Sequence, residues 1–207
     1  MHHQQALLLR QRKFTFILKT RSHYSILEGS ITVNDLIDNA INYNMPALAL
    51  TDNCNLFGAM EFSQLAILKG IQPINGSIVN IATQDIDSLN NSNFEITLLV
   101  TDYDGWKNLS KIVSNSYINF KYYKNKAISV DDLRLYSKGL IALFNDTEKL
   151  EASKEIESIL ESNNLKQLID IFNDRLYLDL FRENKSSTLK EKKILKVSTH
   201  HNLPLVC

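Results

Sequence analysis

Cysteine and proline are scarce in this chain: two of the former and three of the latter among 207 residues. Cys54 and Cys207 cannot make a disulfide framework. That excludes the small stapled secreted folds and makes a reducing cytoplasm the default compartment. Six glycines leave no Gly-rich phosphate loop and no flexible linker. Uncharged apolar runs reach about ten residues, half of the ~20 that span a bilayer. The N-terminus offers only Ala6–Leu9 before Arg10, short of a signal-peptide core. No membrane is therefore expected among the partners. Charge of one sign is missing as well. The 23 Lys plus Arg balance 23 Asp plus Glu, so the basic excess of a dedicated nucleic-acid binder is absent. The local basic clusters, Arg10–Lys13, Lys121–Lys126 and Lys190–Lys196, read as solvated surface.

What is present is an ordinary globular composition, 44% apolar and 22% charged, with length enough for one domain and a sizeable core. Short β-rich runs recur. Phe14–Leu18, Pro46–Thr51, Ile71–Ile81, Ile96–Thr101, Gly139–Phe144, Leu176–Leu180 and Pro204–Cys207 read as strands. Helical spacing falls between most of them. Thr32 with Asp35 makes a capping-box-like start for a helix carrying Val33, Leu36, Ile37, Ala40 and Ile41. Leu56–Lys69 reads as a helix closed by Gly70. Gly105–Asn119, Glu148–Leu160, Leu165–Phe172 and Leu189–Asn202 complete the set, and Ser88–Asn93 reads as a surface turn. The alternation predicts an α/β fold with a parallel sheet, as a seven-stranded barrel or an open doubly wound sheet.

Two segments are more specific: Tyr24-Ser25-Ile26-Leu27-Glu28-Gly29, and the run from Met45 to Phe62 that includes Leu50-Thr51-Asp52-Asn53-Cys54-Asn55-Leu56-Phe57-Gly58. With Gly70-Ile71-Gln72-Pro73-Ile74 they resemble the N-terminal PHP (polymerase and histidinol phosphatase) domain of bacterial DNA polymerase III α subunits, most closely the proteobacterial branch. Looser likeness continues through Gly105–Leu109, Gly139–Leu143, Leu176–Leu180 and Asn202–Val206. The resemblance implies a distorted seven-stranded (β/α) barrel over residues 14–207, after an N-terminal tail at 1–13. It also implies that the last unit is incomplete at the C-terminus, leaving the seventh strand uncovered and the isolated chain prone to self-association.

In the family's metal-binding members the ligands gather at the C-terminal ends of the strands, where barrels of this kind place chemistry. A His-x-His pair works because alternate strand residues share a face. Here those two positions are Lys19 and Arg21. Glu28 keeps an acid in the Tyr-Ser segment. Asn53 follows Asp52 where a histidine is expected, Ile78 stands for a glutamate, Glu95 for a histidine and Asp146 for a cysteine. A cation about 5 Å from a divalent ion repels it by roughly 6–7 kcal/mol at an effective dielectric of about 20, and arginine does not deprotonate. No metal, no cofactor and no catalytic residue are expected. The expected feature is a vestigial cleft of Lys19, Arg21, Glu28, Asp52, Asn53, Ile78, Glu95 and Asp146, with the cations either paired to the acids or reaching solvent.

The implied function is that of a PHP piece of a replicative polymerase α subunit. The piece would itself be non-catalytic, because no palm aspartates are present. Replicase subunits, above all the proofreading exonuclease, are the expected partners, with DNA reached only through polymerase domains outside this chain. A stand-alone metal-dependent PHP phosphoesterase and a decayed gene fragment are the alternatives. Cys54 reads as a passive small residue, His23 as a loop residue one position from any ligand site, His2 and His3 as tail, and His200 and His201 as surface neighbours.

Overall fold

The computed structural model describes residues 15–82, 93–118, 126–144, 163–180 and 188–206. The expected tail at 1–13, the helix over Glu148–Leu160, Phe14, Asp146, Cys207 and most of the Ser88–Asn93 turn lie outside them. The chain divides into two compact units. The first runs through Leu50 and resumes over Phe57–Asn75; the second holds Thr51–Leu56 and the chain from Gly76 on.

The first unit is built on α1 (Val33–Asn42) and α2 (Ala59–Leu68). Thr32 caps α1 as its spacing to Asp35 predicts: the Thr32 Oγ1 accepts the Asp35 amide at 3.2 Å and donates to the Asp35 carboxylate at 2.6 Å. Val33, Leu36, Ile37 and Ala40 then face inward. They pack with Leu48 and Leu50 of β1 (Ala47–Asn53), Phe62 and Ala66 of α2, and Ile71. Gly70, at φ +77°, closes α2 where a side chain would be strained. The expected strand at Phe14–Leu18 is not formed as a ladder among the described residues. Ile17 alone makes a parallel bridge to Leu48, its carbonyl accepting the Ala49 amide at 2.9 Å. Phe16 and Ile17 are exposed there, so β-propensity has no buried face to act on.

Among the described residues the sheet has seven strands, ordered β1, β2 (Gln72–Ala82), β3 (Asn93–Val100), β5 (Leu140–Phe144), β6 (Leu176–Asp179), β7 (Leu205–Val206), with β4 (Ala127–Ser129) paired to β2. The α/β fold with a parallel sheet is as expected, with β2–β4, β5–β6 and β6–β7 parallel, and β3 is the exception, antiparallel to both β2 and β5. Only ten residues, 83–92, join β2 to β3, fewer than the dozen or more that a parallel crossover needs. β4 and the short α4 (Val130–Leu135) were not expected. Ser129 accepts the Asp132 amide at 3.0 Å, and this Ser-x-x-Asp cap was the available signal.

In the second unit the register sorts the strands into two faces. Val79, Ile81, Phe94, Ile96, Leu98, Leu140, Ala142, Phe144, Leu176 and Leu178 fall on one. Against them pack residues of α3 (Tyr103–Ile118), α4, α5 (Asn163–Phe172) and α6 (Thr188–His201), including Leu109, Ile112, Leu133, Leu168, Phe172, Ile194 and Val197. Gly105 at the start of α3 lies against the Gly139 backbone so closely that a Cβ would sit 1.9 Å from its carbonyl oxygen. Among the described residues no helix is long and apolar enough to cross a membrane.

Arg175, in the 3-10 turn before β6, ties this unit together. Its Nη1 donates to the carbonyls of Ser137 at 2.7 Å and Leu140 at 2.6 Å, while the guanidinium lies 5.6 Å from the Phe172 ring centre. Removing a charged donor costs about 1.5–3 kcal/mol per bond at most, and the two share one nitrogen. Arg175→Met is expected to lower the unfolding free energy by about 2 kcal/mol in urea titration; a change under about 0.5 kcal/mol would show that water replaces both bonds.

Candidate functional site

Lys19, Arg21 and Glu28 belong to the first unit, and Asp52, Asn53, Ile78 and Glu95 to the second. In the first unit the motif loop is tightly wound. The Ser25 amide donates to Ser22 at 2.9 Å, Glu28 and Gly29 amides both donate to Ser25, and the His23 amide donates to Ile31 at 2.8 Å. Ser22 and Ser25 are buried, and a Cβ on Gly29 would lie 2.0 Å from the Ser22 carbonyl oxygen. Tyr24 anchors the loop to α2: its hydroxyl donates to Glu61 at 2.9 Å, and its ring sits where a Gly58 side chain would go. This winding brings Glu28 back to Arg21, with Nη1 and Oε2 3.0 Å apart. Both side chains are about a third exposed, so the pair is screened and contributes at most about 1 kcal/mol. Lys19 is exposed, and His23 stacks on Tyr24 with ring centres 4.3 Å apart.

In the second unit Asp52 is buried, and its carbonyl accepts the Ser77 hydroxyl at 2.8 Å. Cys54 is buried in a left-handed turn at φ +48°, its amide donating to the Ile78 carbonyl at 2.8 Å. Ile78 is fully buried opposite Thr97, and exposed Glu95 stands opposite Asn80. Cross-strand partners share a face, so Ile78, Asn80, Glu95 and Thr97 lie on the face away from the helices. The register carries that face on to Leu143, Tyr177 and, one strand residue pair further, Asp179. Sequence reasoning did not single out Asp179; the Leu-Tyr-Leu-Asp alternation held the signal. Asp146 lies outside the described residues.

The chemistry of these residues does not fit the metal centre the fold family implies. Arg21 is a permanent cation already bonded to Glu28. Ile78 offers no lone pair at a fully buried position. Among the described residues no three His, Cys, Asp or Glu side chains group to hold a metal. His200 and His201 meet edge to face with centres 4.8 Å apart. Elsewhere, on the surface of α3, the Lys107 ammonium bonded to Asp104, aided by Lys138, holds that carboxyl below the ordinary carboxylate range.

An α/β chain with its strands and motif glycines in this order defines a class before it defines a member. The model of the PHP domain matches residues 18–199, and the chain belongs to the PHP domain family. Within that family it is similar to DNA polymerase III subunit alpha of Rickettsia bellii, 35% identical over 91% of this chain, and of Rickettsia felis, 34% identical over 91%. It spans 16% of the length of each of these relatives. Among solved structures, a protein described as a metal-dependent phosphoesterase from Bifidobacterium adolescentis superposes with a TM-score of 0.61 at 14% identity, covering 94% of this chain and 86% of the other. That likeness establishes the fold alone.

Proposed function

We propose that this chain is the PHP module of a replicative DNA polymerase III α subunit, located in the cytoplasm. Its part in DNA replication is that of a non-catalytic scaffold docking another replicase subunit, the proofreading exonuclease. The observation that carries the reading is the Arg21–Glu28 ion pair. It stands at positions where the resemblance puts a metal ligand and its acidic neighbour, and a cation bonded there opposes a divalent ion. Lys19, Asp52, Asn53, Ile78, Glu95 and Asp146 are on this reading the remnants of the same ligand set.

The test is a phosphoesterase assay of the purified chain with Mn²⁺ or Zn²⁺, on p-nitrophenyl phosphate and on an oligonucleotide 3′ end. No metal-dependent turnover is expected. Turnover that requires metal and disappears in Asp52→Ala would replace the scaffold by a stand-alone phosphoesterase.

A further inference from the structure

Helix α6 carries four lysines against one acid, Glu191. In the sequence Lys190–Lys196 is one basic cluster, and the fold divides it. Lys193 is buried with Ile194 and Val197 on the inner side. Lys192, Leu195, Lys196, Thr199 and His200 are exposed. They follow one another at i, i+3, i+4, i+7 and i+8, the spacing of a single helix stripe. Several other lysines are neutralised where they stand. Lys69 is bonded to Asp38, and Lys107 and Lys138 to Asp104. Lys111 and Lys126 lie over the rings of Tyr136 and Tyr117. Among the described residues Lys192 and Lys196 join no ion pair and no ring. The helix dipole favours cations in the last turn and so accounts for His200 and His201. It does not account for two lysines in the middle of the helix.

We propose that this stripe holds the phosphate backbone of duplex DNA without reading its sequence. Its polar ends are two ammonium groups and an imidazole, the kind of group that positions a protein on phosphates. The Thr199 hydroxyl is already bonded to the Lys196 carbonyl. From Lys192 to His200 the helix rises about 12 Å, roughly the rise of three to four nucleotides along one strand. The composition disfavours a protein partner. Protein interfaces are depleted in lysine and centre on aromatic anchors, whereas the stripe's one apolar side chain is Leu195, 41% exposed. Single strands are held by stacking on aromatic rings, and α6 contains no Phe, Tyr or Trp. It contains no arginine either, so the bidentate fork that recognises a base edge is missing and charge alone is recognised. That the duplex is DNA rests on the polymerase reading above; the stripe and its phosphate chemistry do not. The module then touches DNA itself, and not only through domains outside this chain.

The test titrates the purified chain into a short labelled DNA duplex and follows affinity by fluorescence anisotropy across a salt series, beside urea unfolding of each variant. Binding at low salt is expected, with log K falling against log salt at a slope of about −2 or steeper. Lys192→Gln and Lys196→Gln should each make the slope shallower by about 1 and leave the urea midpoint unchanged. Lys107→Gln should leave the slope as it was, because Asp104 already neutralises that lysine. No binding at low salt overturns the proposal, and so does a slope unchanged in Lys192→Gln with Lys196→Gln. A single strand bound more tightly than the duplex overturns it too. Preference for a polyglutamate chain makes the occupant an acidic protein segment and likewise overturns it. The phosphoesterase assay tests the scaffold reading separately, so either reading can fail while the other stands.

Discussion

Alanine at Gly29 is expected to cost about 3 kcal/mol or more of unfolding free energy, a large effect for adding one methyl group. The added Cβ would stand 2.0 Å from the Ser22 carbonyl oxygen and 2.7 Å from its carbon. Both are backbone atoms, so no side chain can swing aside. Relief requires opening the loop, and with it the bonds from the Ser25 amide to Ser22 and from the Gly29 amide to Ser25. Each lost bond adds about 1 kcal/mol to the overpacking term. Losing the loop also separates Glu28 from Arg21. Urea titration reads the loss directly; a change under about 1 kcal/mol would mean that the backbone shifts cheaply and that the loop is not the rigid element described.

The second large effect is expected from Ile78→Glu, which puts a carboxylate where the resemblance to metal-binding PHP domains implies one. Ile78 is fully buried. A carboxylate in that position loses its hydration, a penalty of about 3–5 kcal/mol unless a cation neutralises it. Burial raises the folded-state pKa of such a group above the ordinary value of about 4.3. The penalty therefore grows as pH rises through the unfolded value and levels off above the folded one. Unfolding at pH 4 and pH 8 should show the variant much closer to the parent at the lower pH. A variant as stable as the parent at pH 8, or one stabilised by Mn²⁺ or Zn²⁺, would show instead that the position is still a ligand site.

These two residues also mark how far sequence reasoning reaches. The motif around Gly29 carries the resemblance to the family and the aliphatic residue at position 78 departs from it, while the cap at Thr32 and the closing Gly70 follow from capping signals and the strands β1, β2, β3, β5, β6 and β7 from short β-rich apolar runs. The Arg21–Glu28 pair was one of several open pairings, and only the winding of the loop selects it. What escaped did so for physical reasons. β4 and α4 are too short to show a period. The direction of β3 depends on the length of a connection rather than on the strand's own residues. Asp179 joins the site face only through register with β5. The outer face of α2 looks like core in the sequence, because hydrophobicity alone does not tell a buried face from an exposed one.

The antiparallel pairing of β2 with β3 also bears on how the chain assembles. Its seven register pairs, from Gly76 with Leu99 to Ala82 with Asn93, close over a short connection. Joining β5 to β3 closes a loop about four times longer, which costs about 1.2 kcal/mol more in chain entropy. The hairpin is thus the cheapest part of the sheet to form, and local pairs of this kind speed folding. Ile78 and Glu95 sit within it. Positions that the resemblance aligns with metal ligands thus lie in the part of the sheet with the shortest loop to close.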